Sequence, residues 1–139
     1  MNVNKYNHLK PGHRGCIYEF YRNNGSRLYG RYALVISAEE RAYDPVVSIL
    51  MLSDERGRFD DVIVVRIKGI PYYAHCGLIS YCFRHQLGKL VDRCDPVTMA
   101  RIDGKIPVEL GLEPTERKDY EALYNDTLRM LGQEGGCDV

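Results

Sequence analysis

Residues 30–53 read GRYALVISAEERAYDPVVSILMLS and hold two apolar runs, 33–36 and 46–52, rich in Val, Ile and Leu. Runs of that length and composition form strands, and Asp44-Pro45 punctuates the stretch between them. No helical pattern separates the early runs, which disfavours a doubly wound sheet and favours a small, strongly curved antiparallel sheet or barrel. Arg31 stands just before the first run and Ser53 closes the second. If the two strands lie side by side, a cation and a hydroxyl converge at the rim of the sheet.

The rest of the chain extends this pattern. Residues 16–21 (CIYEFY) form a strand candidate, and 22–30 (RNNGSRLYG) a basic loop carrying Arg22 and Arg27. Residues 61–68 (DVIVVRIK) form another strand. Residues 73–82 form one or two more, with a bend or bulge at Gly77, and 89–91 a short edge strand. The period then changes. Asp95-Pro96 pairs an N-cap with a proline at the first helical position, starting a short helix that runs to Gly104. Pro107 is expected to open a separate turn. The clearest helix spans 115–131, with Tyr120, Leu123, Tyr124, Thr127, Leu128 and Leu131 on one stripe and Gly132 as its stop. The expected organisation is a flexible lead-in (1–13), one domain (14–112), an added C-terminal helix packed on that domain (113–132) and a flexible tail (133–139).

At 139 residues the chain has room for one substantial core. Its longest apolar run falls short of the roughly eighteen residues a membrane helix needs, and MNVNKYNHLKPGHRG lacks a signal-peptide pattern. The expectation is a cytoplasmic protein with no membrane partner. Five cysteines, an odd number without a CxxC pair, argue against a disulfide framework or a zinc finger. Net charge is zero, but residues 1–41 carry seven basic against three acidic residues, and residues 113–139 carry three against seven. A basic front end is suited to phosphate and an acidic tail to solubility.

Several chemistries drop out. His8, His13, His75 and His85 are scattered, and the adjacent His75 and Cys76 point to opposite faces of a strand, so no metal site is expected. No phosphate-binding glycine loop, dinucleotide fingerprint or GxSxG elbow occurs, and no cofactor is expected. Asp60-Asp61 reads as part of a solvated loop. What remains suits metal-free RNA cleavage. RNA brings its own nucleophile, the 2′-hydroxyl, and the protein must align it, help remove its proton and stabilise the charged phosphorane. Arginine's forked donors match phosphate oxygens, and a serine hydroxyl adds one hydrogen bond.

The sequence resembles the MazF/PemK-like endoribonuclease toxins of toxin–antitoxin pairs. Arg14-Gly15 and Tyr18 match the family's opening RGDIY strand, with Cys16 in place of the acidic residue. Gly25-Ser26 matches its GSEQ loop, and GRYALVIS at 30–37 matches its xRPalVis segment, with Tyr32 in place of the proline. The distance from Pro45 to Ser53 also fits. The resemblance covers roughly residues 14–112. It implies an SH3-like barrel with added helices, usually dimeric, that cuts single-stranded RNA without metal to leave 2′,3′-cyclic phosphate and 5′-hydroxyl ends. It implies catalytic roles for Arg31 and Ser53, an RNA-binding set of Arg22, Ser26, Arg27, Tyr32, Arg84 and His85, and an acidic antitoxin laid over the groove. Leu78, Ile79 and Ser80 stand where the family often has Gln-Ile-Arg, so Arg84 or His85 is expected to supply a cation or an acid–base group from nearby. The alternative is a nucleic-acid-binding or regulatory module on the same fold that does not cut. A gyrase-directed inhibitor, a related branch, is disfavoured because the tail GQEGGCDV lacks bulky apolar residues.

Overall fold

The computed structural model describes residues 10–57, 60–112 and 117–135. Six strands, β1 (Cys16–Tyr21), β2 (Arg27–Val35), β3 (Val46–Ser53), β4 (Val62–Ile67), β5 (Ile70–Phe83) and β6 (Leu87–Arg93), precede helices α1 (Pro96–Glu109) and α2 (Arg117–Gly135). The strands form one antiparallel sheet in the order β4-β5-β3-β2-β1-β6. The sheet curls until its two edges approach each other. There the backbone N–H of Lys68, in the β4–β5 turn, donates to the Asp92 carboxylate of β6 at 2.7 Å. Lys68 and Gly69 both hold positive φ, as a two-residue hairpin turn requires.

Both faces of the central strands are buried, which explains why their apolar runs are continuous rather than alternating. On one face Ile17, Leu34, Leu50, Leu52, Ile63 and Val65 meet α1 through the fully buried Ile102. On the other, Ala33, Val35, Val47, Ile49 and Cys82 pack together. Cys16, Cys76, Cys82 and Cys94 are all free and buried; Cys137 lies outside the described residues. Among the described residues, no helix is long and apolar enough to cross a membrane.

The structure differs from the sequence reading in several places. Strand β2 begins at Arg27 rather than after the loop, because residues 28–31 bulge out opposite Phe20 of β1 while pairing continues on both sides. Strand β5 is a single strand of 14 residues. Helix α1 passes through Gly104 and Pro107 to Glu109. Ile102 and Ile106 anchor it to the core, and that packing overrides the local cost of glycine and proline. Residues 10–13 are tied down: Gly12 N–H donates to Ala42 O at 2.8 Å, and Tyr18 Oη donates to Pro11 O at 2.9 Å. Residues 1–9 lie outside the described residues, as do the expected helix start at 113–116 and the last four residues. Helix α2 runs past Gly132, and every described side chain of residues 120–132 is exposed. Its stripe, expected to pack on the domain, is therefore uncovered.

Candidate active site

Arg31 and Ser53 are direct partners in the β2–β3 ladder. Their positions continue the rows Arg31-Ala33-Val35 and Ser53-Met51-Ile49 on one face of the sheet, so both side chains stand where that buried face meets solvent. Arg31 emerges from the β2 bulge, whose Gly30 has φ +75°. Gly30 O accepts from Asp54 N–H at 3.2 Å, and a Cβ at Gly30 would meet the Asp54 carboxylate at 3.0 Å. Ser53 is only 6% exposed, and its Oγ accepts from Glu55 N–H at 3.1 Å. A hydroxyl that accepts this way keeps its own proton to donate.

These two residues line a cleft of about 280 Å³ together with Met51, Glu55, His75 and Leu78. The sequence offers His75 as a metal ligand and Asp61 as part of a solvated loop before a strand. Neither reading matches its surroundings. Asp61, 9% exposed, receives His75 Nδ1 at 3.0 Å on one carboxylate oxygen and Gly77 N–H at 3.0 Å on the other. A carboxylate only accepts, so Nδ1 donates in this contact. A second bulge makes this contact: residues 75–78 of β5 face Met51 alone, between the pairs Leu52–Ala74 and Leu50–Ile79. Gly77 fits there because a Cβ would sit 3.2 Å from the Asp61 carboxylate. The bend at Gly77 was legible in the sequence. The Asp61–His75 contact was not, because it depends on the pairing of β4 with β5, in which Val62 lies opposite His75.

Burial raises the Asp61 pKa, but hydrogen bonds from His75 and Gly77 outweigh it and hold the carboxyl below its ordinary range. A carboxyl depressed in the folded state stabilises the fold above its unfolded pKa, and that contribution is lost as pH falls through the folded value. Acid titration of the melting temperature is therefore expected to fall more steeply for wild type than for Asp61→Asn below about pH 4. Parallel curves would mean that the Asp61 contacts do not persist in solution. Next to His75, Cys76 points into the opposite core, and burial lifts its thiol to about 11, which removes it as a nucleophile.

The other expected contact residues do not join this cleft. Arg22, Ser26 and Arg27 gather at the β1–β2 turn. Arg22 donates to Ser26 Oγ at 3.2 Å, and Arg27 pairs with Glu19 at 3.0 Å and lies over the Tyr29 ring. Tyr32 alternates to the face opposite Arg31, where its ring meets Tyr72 edge-on. Arg84 is 1% exposed with its guanidinium 5.4 Å from the Tyr43 ring, so it is a buried residue rather than a groove cation. His85 stacks on Phe83. Phe83 pairs with Val46 at the far end of β3 from Ser53, roughly 23 Å away at strand rise. A larger depression of about 760 Å³ lies where α1 meets β6, away from Arg31. Its lining pairs His13 with Glu39 and Arg14 with Asp103, and also holds Arg93. Among the described residues no cluster of three or more metal-ligating side chains occurs.

A curled antiparallel sheet with an arginine–serine pair at its rim defines a small half-barrel, and solved structures identify which one. An endoribonuclease in complex with its cognate antitoxin, from a mycobacterial species, superposes with a TM-score of 0.61 at 20% identity, covering 74% of this chain and 98% of that one. A second mycobacterial endoribonuclease gives 0.62 at 18%, covering 77% and 98%. A MazE–MazF complex from Deinococcus radiodurans gives 0.59 at 14%, covering 71% and 94%. The chain has the MazF-like fold. No protein-family model matches it, and no curated protein does.

Proposed function

We propose that this chain is a toxin-type endoribonuclease that cuts single-stranded RNA without a metal. The observation that carries the reading is the in-register pairing of Arg31 with Ser53 at the mouth of a cleft. The naming of its structural neighbours as endoribonucleases and antitoxin complexes supports it. In this reaction the 2′-hydroxyl oxygen attacks phosphorus and the bond to the 5′ oxygen breaks. The products carry a 2′,3′-cyclic phosphate and a 5′-hydroxyl. The Arg31 guanidinium donates two N–H groups to the non-bridging oxygens as charge builds on them, and Ser53 donates its O–H to the same group. A guanidinium remains protonated at neutral pH, so its role is electrostatic. The chain works in the cytoplasm as a homodimer, and a cognate acidic antitoxin silences it by setting carboxylates against Arg31.

The test is incubation of a long single-stranded RNA with the chain in EDTA, followed by analysis of the product ends. Fragments ending in cyclic phosphate are expected. If folded, antitoxin-free protein cuts none of several varied RNAs, the nuclease reading falls and a binding module on the same fold takes its place.

A further inference from the structure

We infer that α2 is a dimerisation helix, its exposed apolar stripe pairing antiparallel with the same stripe of a second copy of this chain. Helix α2 lies outside residues 14–112, which carry the family resemblance, so this pairing stands apart from the nuclease reading and gives the homodimer an interface of its own. Tyr120, Leu123, Tyr124, Thr127, Leu128 and Leu131 share one side of the helix, and all six are exposed. The other side is polar, with Asn125 and the Asp126–Arg129 ion pair turned to water. Thr127 belongs with the apolar side, because its hydroxyl already donates to Leu123 O at 2.9 Å and asks for no partner across an interface. In proteins most of a helix's stability comes from packing such a face, and here the whole face is open to water.

Register and charge point to a second copy as the occupant. The stripe spacing reads the same from either end, with its centre between residues 125 and 126. Two antiparallel copies about that centre set Tyr120 of one against Leu131 of the other, Leu123 against Leu128 and Tyr124 against Thr127. Each contact is made twice, as a two-fold interface requires. The same centre sets position 117, an arginine, opposite position 134, a glutamate, at both ends of the pair. Positions 117, 120, 124, 127, 131 and 134 alternate steps of three and four, the repeat of a two-helix seam. Antiparallel packing also sets the positive end of each helix dipole beside the negative end of the other. Residues 117–135 carry three basic and four acidic residues, so two copies meet with little net repulsion, and an acidic antitoxin finds no basic surface there. The seam runs along all 19 residues of the helix, about 28 Å at helical rise.

Sedimentation equilibrium of the full chain tests the pairing, with wild type, Leu123→Glu, Arg117→Glu, Glu134→Arg and the double charge reversal each checked for folding by circular dichroism. Wild type is expected to dimerise. Leu123→Glu puts a charge at the middle of the seam and should weaken the dimer about 30-fold or more. Each single reversal sets like charges against each other at both ends and should weaken it roughly three- to tenfold. The double reversal should associate as tightly as wild type, and so should an equimolar mixture of the two single variants. Positions 117 and 134 lie about 25 Å apart on one helix, so only pairing between copies can produce that rescue. If Leu123→Glu dimerises as tightly as wild type, the homodimer uses another surface and the α2 pairing falls. If the mixture associates no better than its components, the antiparallel register falls, and the stripe is covered by its own domain or by another protein. If wild type stays monomeric at sub-millimolar concentration, the α2 pairing and the homodimer fall together. Cleavage of RNA in EDTA decides the nuclease reading separately from all of these outcomes.

Discussion

Arg31→Ala is expected to slow cleavage of single-stranded RNA in EDTA by about 10²–10³-fold, the usual loss when one preorganised donor to a developing oxyanion is removed. The loss should fall on kcat, since the forked contact tightens only as charge grows on the phosphorane. Arg31 is exposed, so the variant should fold and melt as wild type does. Arg31→Lys separates charge from geometry. It keeps the cation and loses the planar fork, so an intermediate rate is expected. Ser53→Ala removes a single hydrogen bond and should cost less than Arg31→Ala. If Arg31→Ala retains activity within tenfold of wild type, the cutting groups lie elsewhere on the surface.

Ile102→Ala is expected to produce the largest loss of stability among single truncations on α1, about 2–5 kcal/mol. Ile102 is the one fully buried side chain of that helix. It closes the core that Leu34, Leu50, Leu52 and Ile63 share. The helix also carries Gly104 and Pro107 in its interior, so little intrinsic propensity remains to hold it once its anchor is cut. Against a typical domain stability of about 5–15 kcal/mol, the change should be plain in a urea titration as a lower midpoint with an unchanged slope. A loss below about 1 kcal/mol would mean that α1 does not depend on this contact. Below its melting point the variant should still cut RNA, because the cleft lies on the other face of the sheet.

The strongest local signals in the sequence survive in the structure. CIYEFY forms β1 over the expected residues, VVSILMLS forms β3, and Asp95 caps α1, accepting from Thr98 N–H at 2.9 Å. The Arg31–Ser53 convergence was legible because it needs only two neighbouring strands in register. Other features depended on contacts that sequence distance hides. Asp61 and His75 are 14 residues apart and meet through a hairpin and a bulge. Arg84 reads as a surface cation in FRHQ, yet it is buried beside the Tyr43 ring. Pro107 reads as a break, and core packing carries the helix past it. Amphipathicity located the stripe on α2, but periodicity alone says nothing about what covers a stripe.

The two bulges have the same form. In each, four residues of one strand stand opposite a single residue of its neighbour: 28–31 against Phe20, and 75–78 against Met51. One delivers Arg31 and the other begins at His75, on the two sides of the strand that carries Ser53. The chemistry is thus housed where a strand carries surplus length toward one neighbour while staying paired with the other, Arg31 with Ser53 and His75 with Val62. A scaffold of this kind can gain, lose or retune its reactive groups through small insertions and deletions, while substitutions in the paired rows are left to tune how firmly it folds.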